Sequence, residues 1–151
     1  MKRAVEQRAD RGSIAIEYVI AAPIVLLVFA LVFAFARVGE VNGQLDTATR
    51  DAARTVTQLP DLTQAGQVAQ RVVADQLGPE GEGGCSASTV QVDVTATRPD
   101  GHDDQFPAPG DTVTVTASCP YSLADLGLPI PMGDLTAHSQ FSSVVDPNRT
   151  G

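Results

Sequence analysis

The chain has 151 residues, ten Lys and Arg against eighteen Asp and Glu, and a formal net charge of −8. Such a length holds one domain, with room for an appended segment, and the acidic balance excludes a nucleic-acid partner, whose phosphates need clustered Lys and Arg. The composition is 43% hydrophobic, which is ordinary for a globular protein, but the average conceals unlike pieces. The first twelve residues carry Lys2, Arg3, Arg8 and Arg11 against Glu6 and Asp10, a net of +2, whereas the remaining 139 carry six basic and sixteen acidic residues, a net of −10. Between the basic tip and the acidic body lies a nearly uncharged apolar block. Removing Met1–Ala36 leaves 115 residues without a Trp, enough for one modest core.

Tyr18–Ala36 contains 19 residues and no charge; twelve are Val, Leu, Ile or Phe and five are Ala. As a helix it spans about 28 Å, close to the hydrocarbon thickness of a bilayer. Twelve large apolar side chains supply about −4 to −7 kcal/mol for insertion, more than Pro23 or a marginal Glu17 costs. The block is apolar on every face, unlike the helix of a soluble core. Four basic residues precede it and only Arg37 follows closely, so the N-terminus is expected in the cytoplasm and the body outside. Ala34-Phe35-Ala36 also resembles a signal-peptidase site, whose use would release residues 37–151. The length of the apolar block and the position of Glu17 weigh against that alternative.

A carboxylate costs about 2.5–3.5 kcal/mol at the bilayer centre and less near an interface. One account of Glu17 is that it snorkels to the headgroups beside Arg11. Another treats Gly12–Ser13 as a processing site. Cleavage there would make Ser13 a free amine and put a carboxylate, Glu17, at the fifth position of the mature chain, able to pair with a neighbouring copy's amine.

The basic leader ending in Gly12, the small Ser13, Glu17, the aromatic Tyr18 and the unbroken apolar helix together resemble a type IV prepilin. Gly12-Ser13-Ile14-Ala15-Ile16-Glu17-Tyr18, followed by Pro23 and Ile24–Leu27, is similar more narrowly to the TadE-like minor pilins, or pseudopilins, of tight-adherence (Flp) pilus systems. The likeness extends through Ala48-Thr49-Arg50-Asp51-Ala52-Ala53-Arg54. It implies that a membrane aspartyl prepilin peptidase cuts after Gly12, that Ser13 is the new N-terminus, and that Glu17 with Tyr18 serves assembly and recognition. It also implies other pilins and pilus-assembly membrane proteins as partners. The large body points to a minor component, since shaft subunits of these systems are little more than the helix.

After the block, Val38, Val41, Leu45, Ala48, Ala52 and Val56 recur at helical spacing, with Glu40, Asp46, Arg50, Asp51 and Arg54 off the stripe. The helix is expected to run on to Leu59 and stop at Pro60. Its stripe packs either on the body or on a second pilin helix. Gly39 and Gly43 suit a hinge or a close helix contact. A second helix follows, capped by Asp61 with Gln64, with Ala65, Val68, Ala69, Val72, Val73 and Leu77 on one face, and ends at Gly78-Pro79. Residues 79–84 form a Gly-rich acidic connection.

The period then changes to two. Val90, Val92, Val94 and Ala96 alternate with polar residues, as do Val113, Val115, Ala117 and Cys119; a less regular third strand puts Leu135, Ala137, Phe141 and Val145 on one side. The expected fold class is α+β: a long membrane helix continuing as a stalk, a second short helix, and a small antiparallel sheet of about three strands. The expected divisions are a leader of residues 1–12, a membrane helix of 13–36, a helical extension of 37–59 and an extracytoplasmic domain of 60–151. Cys85 and Cys119, in a domain facing an oxidising compartment, are expected to form one disulfide.

No residue set marks catalysis. Asp100, His102, Asp103 and Asp104 lie in one loop without the spacing of a calcium site, and His138 falls on a polar strand face. No nucleophile elbow, P-loop or dinucleotide fingerprint is present, so neither enzyme activity, metal nor cofactor is expected. Pro120–Met132 interleaves Tyr121, Leu123, Leu126, Leu128, Ile130 and Met132 with three prolines, either covering the sheet or docking a partner. Asn148-Arg149-Thr150 matches a glycosylation sequon. Two functions fit: a membrane-anchored minor pilin, or an anchored or secreted extracytoplasmic binding module unrelated to pili.

Overall fold

The computed structural model describes residues 2–60, 62–79, 85–98, 110–123, 133–146 and 148, with side chains from Ile16 onward apart from that of Leu62. Helix α1 covers Lys2–Val56, 55 residues, or about 82 Å of rise. Its first part, through the apolar block, touches little: Ile20, Leu26, Phe29 and Phe33 are all more than half exposed. Pro23 lies inside it, and an apolar surrounding tolerates that interruption better than water does. From Val41 the same helix becomes amphipathic, and Val41, Leu45, Ala48, Ala52, Ala53 and Val56 are fully buried. The stripe therefore packs on the body of its own chain.

The helix ends at Val56, three residues before the expected Leu59. Gln58 N–H donates to Thr55 and Leu59 N–H to Val56, both at 3.1 Å, so the chain tightens to a three-residue turn. Pro60 disfavours the helical conformation for the residue before it, which accounts for the early exit. A 3-10 turn at Leu62–Gln64 leads into helix α2, Ala65–Leu77. Gln64, not Asp61, is the residue before the helix, and it makes no side-chain cap; Asp61 lies outside the described residues. The preceding 3-10 turn feeds α2 directly. Ala65, Ala69, Val73 and Leu77 are buried, while Val68 and Val72 are half-buried at the margin. Gly78 ends α2 with φ +74°, and its N–H donates to Ala74 O at 3.0 Å. A Cβ there would meet nothing within 4 Å, so the glycine is required by conformation alone.

Strands β1 (Gln91–Thr97), β2 (Thr112–Tyr121) and β3 (Leu135–Val144) form an antiparallel sheet in that order. Val113, Val115, Ala117 and Cys119 of the central strand point into the core, and the intervening residues form an outer face of Thr and Ser. There Thr114 and Ser142 share a 2.8 Å hydroxyl contact. Both helices pack on the inner face, giving a two-layer α+β body on the end of a long helix. On β3, Ala137 is buried and Phe141 is half-buried, and Val145 just after the strand is buried, whereas Leu135, expected on the same face, is 40% exposed. It is the first residue of its strand, at the end of the sheet that β1 does not reach.

Strand β2 continues through Pro120 and Tyr121, the first two residues of the proline-interleaved segment. Pairing with β1 stops at Ser118, so Pro120 sits where only β3 flanks the strand, the setting in which a missing N–H is tolerated. Tyr121 and Leu123 are buried; Leu126, Leu128, Ile130 and Met132 lie outside the described residues. The disulfide Cys85–Cys119 is formed across 34 residues of sequence, with Cα atoms 5.7 Å apart. It ties the approach to β1 onto the buried face of β2.

Candidate functional site

The residues singled out from the sequence lie along α1. Gly12 and Ser13 fall within its helical backbone; the Ser13 side chain is outside the described set. Glu17 and Tyr18 lie one turn further on, with Tyr18 72% exposed. Glu17 is exposed as well, so its carboxylate is presented on the helix surface at the start of the apolar run. From there to Phe35, large side chains cover the helix: Val19, Leu26, Val32 and Phe35 are all at least half exposed. In water this cylinder would be an extreme apolar surface; a bilayer or a bundle of like helices removes it. Among the described residues the chain has one helix long and apolar enough to cross a membrane, which fits a single-pass membrane protein.

The apolar cylinder ends at Arg37, which pairs with Glu40 one turn later at 3.7 Å. Both side chains remain substantially exposed, so the pair marks a polar boundary more than it adds stability. Beyond it, Gly39 and Gly43 lie in unbroken helix. They line an open groove of about 420 Å³ with Glu40, Gln44, Thr47 and Gln76. The apolar stripe on the opposite flank, anchored by Val41 and Leu45, holds this stretch helical.

Polar residues flanking the stripe fasten the body to the helix. Asp46 receives Arg50 Nη2 at 3.2 Å on one oxygen and Ser139 Oγ at 3.2 Å on the other. The Arg50 guanidinium stands 5.1 Å from the Phe141 ring centroid, a cation–π distance. Asp51 accepts Gln76 Nε2 at 2.8 Å, joining α1 to α2, and Gln70 Nε2 donates to Val90 O at 3.0 Å, joining α2 to the lead-in of β1. Of these, the sequence pattern placed only Asp46, Arg50 and Asp51 off the apolar stripe; contacts between distant elements left no local signal.

A second polar feature was also missed. Arg98, just past β1, donates through Nε to Asp111 Oδ1 at 3.0 Å and through Nη2 to Oδ2 at 3.1 Å. Their placement as opposite charges flanking a hairpin connection was the available clue. The intervening Asp100, His102, Asp103 and Asp104 lie outside the described residues, as does the Arg149-Thr150 part of the sequon. His138 is exposed on β3. Among the described residues no group of three or more His, Cys, Asp or Glu is placed to hold a metal ion.

No curated protein and no solved structure matches the chain. A family model described as TadE-like protein matches residues 12–54. The matched segment opens at Gly12 and runs through Glu17, the apolar cylinder, the Arg37 boundary and most of the stripe beneath the sheet. Over that segment, which is nearly all of the long helix after the basic tip, the chain is similar to the TadE-like family.

Proposed function

We propose that the protein is a membrane-anchored minor pilin, or pseudopilin, taking part in assembly of a tight-adherence type IV pilus. The observation that carries this reading is the coincidence of three features on one helix. The TadE-like match begins at Gly12, Glu17 follows five residues later, and the large apolar side chains after it are exposed. Residues 1–12 act as the leader, and a prepilin peptidase cuts between Gly12 and Ser13. Gly costs a helix about 1 kcal/mol relative to Ala, so the backbone at Gly12 is a favourable place for the helix to open into a protease.

Cleavage leaves an ammonium on Ser13 and a carboxylate on Glu17 one turn away. In an apolar surrounding neither charge is stable alone, and pairing between adjacent subunits sets their axial register. The surface of residues 18–36 supplies lateral packing to membrane lipid and to other pilins. The excess of basic residues before the span keeps the N-terminus in the cytoplasm and the α+β body outside. The role is structural, without a catalytic residue or cofactor.

The N-terminal sequence and intact mass of the protein recovered from its native membrane test this reading. A mature chain starting at Ser13 supports the pilin. A chain starting at Arg37 would establish ordinary secretion of a binding module, and an intact Met1 would remove the processing step.

A further inference from the structure

Two contacts fix how the sheet is aligned with the long helix. Asp46 meets Ser139, and Arg50 meets Phe141. Four residues along α1 thus accompany two along β3 in the same chain direction. These are about 6 Å of helix and about 7 Å of strand, so the two elements advance nearly in step. Going back from Ser139 to Leu135 covers about 13 Å of strand, and the same distance back along the helix from Asp46 reaches Arg37. Leu135 is paired with Tyr121, and β2 and β3 both end there. This end of the sheet therefore stands level with the residue at which the uncharged run Tyr18–Ala36 stops.

From this alignment we infer that the Leu135 end of the sheet rests on the phospholipid headgroup surface. The body lies against the membrane that α1 crosses instead of standing off it on a helical stalk. The inference rests on the reading of α1 as membrane-spanning. The occupant of this surface follows from continuity with the span, because the bilayer boundary at Arg37 and the Leu135 end of the sheet fall at one height. Leu135, 40% exposed, is one of two large hydrophobic side chains exposed outside α1 among the described residues. Its position next to Asp134, also exposed, suits an interface where apolar and charged groups are both solvated. The other, Val144, is 59% exposed and lies at the far end of the same strand, beside the Arg98–Asp111 clasp. That end points away from the bilayer.

The chain has no Trp, so single tryptophans report without background. Full-length Leu135→Trp, Thr136→Trp, Val144→Trp and Phe29→Trp proteins are reconstituted in phosphatidylcholine vesicles, with and without acyl-chain-brominated phosphatidylcholine as quencher. Leu135 and Thr136 are both exposed, so either reporter suffices if the other disturbs folding. The expected result is loss of most emission at residue 29, a blue shift with partial loss at 135 or 136, and no loss at 144. Quenching at 29 with none at 135 or 136 overturns the docking of the body while leaving the span intact. Equal quenching at 144 and 135 overturns the proposed polarity. Absence of quenching at 29 overturns the membrane-spanning reading itself and the inference with it.

Discussion

Arg98 and Asp111 close the base of the β1–β2 connection through two parallel hydrogen bonds of 3.0 and 3.1 Å, with the Asp111 side chain only 2% exposed. A two-pronged guanidinium–carboxylate pair fixes direction as well as distance, so it sets the relative position of the two strand ends. The chain continues the same junction through Gly110 N–H to Val145 O and Val145 N–H to Asp111 O, at 3.1 and 2.8 Å. One end of all three strands is thereby joined.

Asp111→Ala leaves the Arg98 guanidinium largely buried without its carboxylate. Loss of one partner from a buried pair is expected to cost about 2–4 kcal/mol, reduced from the upper range by the partial exposure of Arg98. Urea unfolding of the full chain in detergent micelles reads the change as a lower midpoint. The double variant Arg98→Met/Asp111→Ala is expected to recover part of the loss, because both charges of the pair are then removed. A double variant as unstable as the single one would show that packing, not charge, dominates the junction.

The disulfide closes a 34-residue separation, and the loop-entropy model assigns such a link about 3–4 kcal/mol. Cys85→Ser/Cys119→Ser protein is expected to unfold at correspondingly lower denaturant, and a reductant is expected to shift wild type to the same midpoint. A reductant-insensitive midpoint would contradict this.

Leu45→Ala and Leu26→Ala make the same chemical change on one helix in opposite surroundings. Leu45 is fully buried beneath the sheet, while Leu26 is 68% exposed. The first is expected to cost the body about 2–5 kcal/mol and the second close to nothing in the same unfolding measurement. The second is instead expected to weaken retention in the membrane slightly, seen as greater extraction at high pH.

Glu17→Ala is expected to leave the unfolding midpoint of the body unchanged, because its carboxylate lies on α1 well away from the core. Under the pilin reading it lowers co-purification with partner pilins, and Glu17→Asp restores little, since the shorter side chain shifts the charge. Co-purification at the wild-type level would remove the pairing role of Glu17. Gly12→Ala probes processing separately, through accumulation of the longer precursor.

Much of the fold was legible in local pattern. The spacing of Val41, Leu45, Ala48 and Ala52 placed one face of α1 inward. The alternation around Val113–Cys119 placed one face of β2 inward as well, and both are buried. Periodicity is visible because one element must present one side to one core. What escaped were features decided by neighbours. Pro120 stays in a strand because β1 ends two positions earlier, and Leu135 is exposed at the end of the sheet that β1 does not reach.

The sequence by itself determined the division into basic tip, apolar cylinder and acidic body, the TadE-like segment, and the two cysteines available to each other. These follow from composition and short-range spacing, which need no knowledge of what lies across the core. Only the tertiary structure decided that the stripe of α1 is covered by its own sheet, that Asp46 holds Ser139, and that β3 runs in step with the helix. Such relationships join residues up to 93 positions apart. They arise from how twisted strands and a helix pack together, a geometry that no window along the chain contains.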